Sequence, residues 1–152
     1  MQKSYLWCLV WIVVVVGIGS LIGINFPPGA WHEGLIKPFF NPPGWLFGPV
    51  WTALYILIAI AGWRVFNLLN DTGLKTLWVA QMVLNFLWSP AFFGAESTML
   101  GLIVILPMLL TIYLFIFRAF RLDRVSAWLF LPYAAWVSFA TLLNGALHVL
   151  NN

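Results

Sequence analysis

Residues 4–32 read SYLWCLVWIVVVVGIGSLIGINFPPGAWH and contain no charged side chain over 29 positions. Four more charge-free runs follow, at residues 38–63, 76–95, 97–117 and 125–152. Each run reaches the ~20 residues that an α-helix, rising ~1.5 Å per residue, needs to cross the ~30 Å hydrocarbon layer of a bilayer. The pattern therefore predicts an all-α membrane protein built as a bundle of five transmembrane helices.

The composition of the chain agrees with a membrane-embedded fold. Of its 152 residues, 63% are hydrophobic and 7% are charged, whereas soluble domains carry about 25% charged residues. The predicted spans form one domain and lie at about residues 5–24, 45–66, 74–93, 98–117 and 126–149. Too little chain remains for a soluble domain. The net charge of +3 indicates membrane topology, and we expect no nucleic-acid partner.

The basic residues divide unequally between the two sides of the membrane. Because five crossings put the termini on opposite sides, Lys37 is the only lysine or arginine on the C-terminal side. The N-terminal side collects Lys3, Arg64, Lys75, Arg118, Arg121 and Arg124. By the positive-inside rule the N-terminus is cytoplasmic if the protein lies in a bacterial cell membrane. A mitochondrial-type outer membrane is the alternative location.

The connection between spans one and two, at about residues 25–43, is the only long one. It contains five prolines together with Trp31, Phe39 and Phe40. Proline prevents a regular helix through most of this segment, yet its aromatic side chains are too apolar to remain in water. We therefore expect a long ordered loop that folds back over the bundle as a lid.

Three spans carry polar and aromatic side chains on one face. Helical spacing aligns Gln81, Asn85 and Ser89 on span three, beside Trp78 and Trp88. It also aligns two further sets: Trp51, Tyr55 and Ile58 on span two, and Tyr133, Trp136, Ala140 and Asn144 on span five. Inward-facing groups of this kind would enclose a cavity with flat apolar walls and a few hydrogen-bonding groups, as ligand sites do. The alternative is that the amides only join the helices, at ~0.6 kcal/mol per bond.

Other features of the sequence have structural explanations. Tryptophans gather at membrane interfaces, and we assign five to such belts: Trp7, Trp11, Trp63, Trp78 and Trp128. Gly19 and Gly23 form a small-xxx-small pair, which packs helices within the bundle or between two copies of the chain.

The sequence carries no enzyme signature. All four acidic residues fall in connections: Glu33, Asp71, Glu96 and Asp123. No carboxylate pair or proton relay therefore crosses the membrane. His32 and His148 lack further ligands at metal-binding spacing. We expect neither a metal site nor a cofactor.

Three blocks of the sequence are similar to the translocator protein family, also called tryptophan-rich sensory proteins or peripheral-type benzodiazepine receptors. The first block is WHEGLIKPFFNPPGW (31–45) followed by FGPVWTALY (47–55). The others are LNFLWSPAFFG (84–94) and PYAAWVSFATLLN (132–144). The resemblance covers nearly the whole chain and implies a five-helix membrane bundle, often a homodimer. It also implies a cavity that binds porphyrins such as protoporphyrin IX and benzodiazepine-like ligands.

The same resemblance assigns roles to individual residues. It places the family's two cavity tryptophans, implicated in light-dependent porphyrin breakdown, at Trp51 and Trp136. It puts five further residues at or near the pocket: Trp31, Asn85, Trp88, Ala140 and Leu143. Animal members carry a cholesterol-recognition stretch with Tyr and Arg at the end of span five. This chain instead ends LHVLNN (147–152), which argues against cholesterol recognition there.

Together these observations predict a receptor or sensor whose planar ligand stacks on indole rings. Lys37 or His32 would meet the ligand's carboxylates, unless Lys37 is an interfacial lysine that only reaches for water. A transporter of tetrapyrroles or sterols is the alternative function. A partner-binding membrane subunit is a third, for which the small residues Gly19, Gly23, Ala91 and Ala95 are suggestive.

Overall fold

A computed structural model describes the backbone of residues 2–152 and the side chains of residues 4–152. Within these residues the regular structure is helical, with no strand. The helices are α1 (Gln2–Asn25), α2 (Ala30–Gly34), α3 (Phe47–Asn67), α4 (Thr72–Ser89), α5 (Thr98–Leu122) and α6 (Arg124–Asn151). A 3₁₀ turn at Gly44–Leu46 leads into α3, and a π-helical turn at Pro90–Gly94 extends α4.

Five of these helices are long and apolar enough to cross a membrane: α1, α3, α4, α5 and α6. With their extensions the candidate spans are Ser4–Asn25, Gly44–Asn67, Thr72–Gly94, Thr98–Leu122 and Arg124–Asn151. The prediction of an all-α protein with five membrane-spanning helices is therefore confirmed. Between its ends each helix bonds most of its backbone groups internally, as hydrocarbon requires.

The five long helices form a closed ring of neighbours. Helix α1 packs on α3, α3 on α6, α6 on α5, and α5 on α4, while α4 makes smaller contacts with α3 and α1. Inside this circle of helices the side chains are apolar around Phe115 of α5 and Phe130 of α6. Their aromatic rings stack with centroids 3.9 Å apart. Most of α1 faces outward, since Val15 and Gly19 are its only buried residues among the side chains described.

Short polar caps start α4 and α5. The Asp71 carboxylate accepts a hydrogen bond from the Leu74 backbone N–H at 2.6 Å, and the Ser97 hydroxyl accepts one from the Leu100 N–H at 3.1 Å. Such caps satisfy N–H groups that have no partner within the helix.

The structure differs from the sequence prediction at the end of α4. The predicted spans three and four leave residues 94–97 as a short connection, but the helix first widens into the π-helical turn. There the Ala95 N–H donates to the Pro90 carbonyl and the Ser97 N–H to the Phe92 carbonyl, at 2.9 and 3.1 Å. Proline 90 supplies no N–H to continue the helical ladder. The wider turn brings Phe92 into the core.

The assignment of Trp78 to an interfacial belt is wrong. Its side chain is only 7% exposed, and its indole N–H donates to the Ile58 carbonyl of α3 at 3.0 Å. Gly62 makes this possible, because a Cβ there would lie 2.6 Å from the Trp78 ring. The ring is therefore part of the α3–α4 contact.

The connection between α1 and α3 contacts the C-terminal end of α6 and the π-helical turn that follows α4. The backbone N–H and carbonyl of Ile36 bond to the Asn151 side chain at 2.8 and 3.0 Å. The Trp31 ring packs edge-on against Phe92 with centroids 5.5 Å apart. These contacts hold α2 and its flanks against one end of the bundle.

Candidate ligand-binding cavity

A cavity of about 120 Å³ lies inside the bundle, where α1, α3, α4, α5 and α6 meet. Its lining consists of Gly19, Gly23, Phe47, Trp51, Tyr55, Asn85, Trp88, Ser89, Ile105, Met108, Trp136, Val137 and Ala140. Sites for drug-sized ligands measure roughly 300–1,000 Å³. A planar macrocycle would therefore enter only if lining side chains move.

Aromatic rings form much of the cavity wall. The Trp51 and Tyr55 rings lie 5.4 Å apart with planes tilted by 34°, and Phe47 contacts Trp136 edge-on at 5.7 Å. Successive turns of α3 supply the first three rings, and α6 supplies the last. Flat π surfaces on two adjacent helices suit a flat apolar ligand.

The polar groups of the wall are bonded to one another. The Tyr55 hydroxyl donates to Asn85 Oδ1 at 3.0 Å, and Asn85 Nδ2 donates to the Tyr133 hydroxyl at 2.7 Å. Tyr133 then donates to Gln81 Oε1 at 2.8 Å. After these bonds the Asn85 amide keeps one N–H and one lone pair. Asn85 thus both joins helices and offers a polar contact to the cavity.

Trp136 contributes a further donor. Among the side chains described, its indole N–H is buried yet has no acceptor. A buried donor without a partner costs about 1–3 kcal/mol. A ligand oxygen would meet this buried N–H only after neighbouring side chains move.

A smaller cavity of about 60 Å³ adjoins the first and shares Phe47, Trp88 and Ala140 with it. The Trp88 ring stacks on Phe92, with centroids 4.9 Å apart and planes at 15°. Its N–H donates to Asn144 Oδ1 over 3.3 Å. Trp88 therefore belongs to the partition between the two spaces.

The structure brings most of the sequence-predicted site residues together. Six line the larger cavity: Trp51, Tyr55, Asn85, Trp88, Trp136 and Ala140. Leu143 and Asn144 line the smaller one. Gln81 and Tyr133 are fully buried behind the wall.

Two predicted residues lie apart from both cavities and from the buried network behind them. Trp31 lines a separate polar depression beside the chain terminus. The Lys37 ammonium donates to the carbonyls of His32, Glu33 and Leu35 at 2.8, 3.1 and 3.4 Å. Lys37 therefore caps the end of α2.

His32 adjoins the smaller cavity and packs against Phe93, with ring centroids 5.3 Å apart. Burial, and next the positive charge of Lys37, lower the pKa of the His32 imidazole below its usual value. At neutral pH the ring is therefore mainly uncharged. This makes His32 the weaker of the two candidate carboxylate partners.

Sequence reasoning missed several lining residues. Gly19, read as a packing position, lets the Tyr55 ring approach so closely that a Cβ would lie 2.3 Å from it. Gly23 has open space beside it. The sequence signal for both residues was their small-xxx-small spacing. Ile105 and Met108 of α5 carry no polar signal that distinguishes them from ordinary core residues.

The described part of the chain has no cluster of three His, Cys, Asp or Glu side chains able to hold a metal ion. The cavity wall offers aromatic faces, an amide and hydroxyl groups. This chemistry suits binding by stacking and a few hydrogen bonds.

Comparison with known proteins places the chain in a family. The family model described as TspO/MBR matches residues 7–150, a segment that contains every cavity residue. The chain belongs to the TspO/MBR family.

Named TspO/MBR relatives come from distant organisms. The tryptophan-rich protein TspO of Archaeoglobus fulgidus is 42% identical over 123 residues, covering 80% of each chain. The tryptophan-rich sensory protein of Cereibacter sphaeroides is 36% identical, covering 84% of this chain and 81% of its own. The translocator protein of Homo sapiens is 32% identical, covering 84% and 80%. Family membership and five apolar helices together make this an integral, multi-pass membrane protein.

Proposed function

We propose that this TspO/MBR protein is a membrane receptor or sensor that binds porphyrins of the protoporphyrin IX type and benzodiazepine-like ligands inside the bundle. The observation that supports this most is the cavity in which Trp51 and Trp136, from two helices, line the same space. The name of one relative, tryptophan-rich sensory protein, agrees with a sensing role.

Ligand entry in this proposal requires the cavity to expand. The 120 Å³ and 60 Å³ spaces meet at Trp88, whose 3.3 Å bond to Asn144 is long for an N–H···O contact. Rotation of the Trp88 ring joins the two spaces. The connection between α1 and α3, with His32 and Asn41 on the smaller cavity, acts as the lid over that end.

The test is a titration of the purified protein with protoporphyrin IX, followed by quenching of tryptophan fluorescence. Ala140→Leu fills the cavity and should weaken binding about tenfold or more, because overpacking costs about 1–3 kcal/mol. Ala135→Leu, on the exposed face of the same helix, is the matched control and should bind as the wild type does. Equal affinity of both variants would place the ligand elsewhere.

Light-dependent porphyrin breakdown is a further part of the proposal. The excited porphyrin takes an electron from Trp51 or Trp136, or it transfers its energy to dissolved oxygen, which then attacks the macrocycle. Both indole rings line the cavity, and an indole is readily oxidised.

Transport of tetrapyrroles or sterols is the second candidate, favoured by the name of the human relative, translocator protein. Reconstituted vesicles separate the two functions. Uptake that saturates near one porphyrin per chain supports a receptor. Continued accumulation inside the vesicles supports a transporter.

The proposal includes a homodimer and a defined orientation. Gly19 serves contacts with Tyr55 within one chain, so the dimer contact lies on other residues, such as the exposed apolar face of α1. The N-terminus is cytoplasmic in a bacterial cell membrane, given the excess of basic residues on that side. Cross-linking in native membranes tests the first point, and cysteine accessibility at residue 152 tests the second.

A further inference from the structure

A second feature lies on the outer surface, at the end of the bundle that holds the N-terminus of α4 and the C-terminus of α5. A groove of about 530 Å³ runs between these helices. Its lining residues are Asp71, Leu77, Leu114, Phe117, Arg118, Arg121 and Leu122. The groove shares no residue with the ligand cavity.

One cation of the groove is held in a fixed position. Arg118 Nε and Nη2 donate to the two Asp71 carboxylate oxygens at 2.8 and 2.7 Å. Gly73 leaves room for this guanidinium, because a Cβ there would lie 2.7 Å from Arg118 Cζ. The bond from Arg118, and next that from the Leu74 N–H, lower the pKa of Asp71 to about 2. The pair is therefore ionised at neutral pH.

The guanidinium of Arg118 retains unused donors. Arginine has five N–H groups, and Asp71 occupies two nitrogens of this one. Arg121 follows one helical turn later and is exposed. Within the described side chains, Arg121 forms no ion pair. Arg118 and Arg121 thus present N–H donors at the same end of the groove, and Arg121 has no paired acid among the described side chains.

Deeper along α5 the groove becomes apolar. Leu114 and Phe117 expose 47% and 72% of their surface to the outside, and Leu77 of α4 faces them across the groove. These residues lie toward the middle of a membrane-spanning helix, whereas Arg121 lies at its end. A groove with a cationic end and an apolar stretch matches a molecule with an anionic head and a hydrocarbon tail.

The charge on this side of the bundle also favours an anion. Its described basic side chains are Arg64, Lys75, Arg118, Arg121 and Arg124, against two acids, Asp71 and Asp123. Both acids are already paired with arginines. No free carboxylate among them competes for Arg121.

We infer that this groove is a binding site for an anionic phospholipid. The lipid phosphate accepts hydrogen bonds from Arg121 and from the free N–H groups of Arg118, which Asp71 orients. One acyl chain lies along Leu114 and Phe117. The site is independent of the function proposed for the interior cavity.

Native mass spectrometry of the protein, titrated with phosphatidylglycerol and separately with phosphatidylcholine, tests the site. We expect one phosphatidylglycerol to bind preferentially to the wild type. Arg121→Gln should weaken that first binding roughly fivefold, since a basic residue at the membrane surface attracts anionic lipid by ~1 kcal/mol. Arg124→Gln removes another exposed charge on the same side but outside the groove, and it should leave the first binding unchanged.

Two results would overturn the inference. Equal losses in Arg121→Gln and Arg124→Gln would show diffuse attraction to a basic surface. Displacement of the lipid by millimolar inorganic phosphate would show that only the head group is held. Weaker binding in Phe117→Ala, with phosphate having no effect, is the expected sign of a seated acyl chain. Porphyrin binding, measured in parallel, should be unaffected by all three variants.

Discussion

The Asn85 side-chain amide donates a hydrogen bond to the Tyr133 hydroxyl over 2.7 Å, deep inside the bundle. Tyr55 and Gln81 extend this contact at 3.0 and 2.8 Å. The four side chains come from α3, α4 and α6. This buried network joins three helices and holds Tyr55 and Asn85 at the cavity wall.

Removing the central hydroxyl should therefore destabilise the bundle. Tyr133→Phe leaves the Gln81 oxygen and an Asn85 N–H without partners, at an expected cost of about 1–2 kcal/mol in the free energy of unfolding. Thermal unfolding in detergent measures it. Tyr113→Phe removes an exposed hydroxyl bonded to Ser138 at 2.9 Å and should have little effect. Equal stability of the two variants would contradict a structural role for the network.

Gly19 should tolerate no side chain. In Gly19→Ala the new methyl would meet the Tyr55 ring at 2.3 Å, which forces α1 away from α3 or shifts the ring. We expect about 1–3 kcal/mol of destabilisation and altered porphyrin affinity. Gly17→Ala, with open space around it, is the control. Equal stability and equal porphyrin affinity of the two alanine variants would contradict the close approach of α1 to α3 at Gly19.

The Arg64–Asp123 pair should make stability depend on acid. Arg64 donates to both Asp123 oxygens at 2.8 and 2.9 Å. These bonds, and a lesser one from Ser126, lower the pKa of Asp123. Because the pKa of Asp123 in the folded protein lies below its unfolded value of about 3.9, the pair contributes its full stabilisation above that pH. It is lost as the pH falls through the folded pKa.

Asp123→Asn tests this pair. It should cost about 1–3 kcal/mol at pH 7 and flatten the loss of stability below about pH 4. Unfolding midpoints measured between neutral and acidic pH provide the comparison. Glu96→Gln, an exposed acid outside any ion pair of the described side chains, should follow the wild-type profile. An unchanged profile in Asp123→Asn would remove the pair from the acid response.

The cavity indoles should govern photochemistry more than binding. Trp51→Phe and Trp136→Phe keep a flat apolar ring but lose the readily oxidised indole, so porphyrin affinity should persist while light-driven loss slows severalfold. Absorbance decay under fixed illumination measures the rate. Trp128→Phe, 63% exposed on α6, should degrade porphyrin normally. Wild-type rates in both cavity variants would exclude these residues from the reaction.

Lys37 should distinguish acidic ligands if it meets their carboxylates. Its ammonium is hydrogen-bonded to the backbone carbonyls of His32 and Glu33. Lys37→Ala should weaken protoporphyrin IX binding by up to about fivefold, as an exposed ion pair contributes up to ~1 kcal/mol. It should leave the dimethyl ester unaffected. Equal losses for acid and ester would limit Lys37 to capping α2.

Much of the site could be predicted because helical spacing alone determines which residues share a face. Trp51 and Tyr55 are four positions apart, as are Trp136 and Ala140, and each pair lines the same cavity. Trp78 could not be placed this way. Its burial depends on Gly62 of another helix, a contact between residues distant in sequence.

The number of helices and their polar faces were determined by the sequence itself. In hydrocarbon each backbone must bond within its own helix, so run length and helical period leave little freedom. The rotation and spacing of neighbouring helices were decided only by the tertiary structure. Helix rotation and spacing determined that Gln81 and Tyr133 form a hydrogen bond behind the cavity wall. They also placed Gly19, Met108 and Trp88 around the cavity. Such packing depends on side-chain volumes from several helices at once, which no single segment contains.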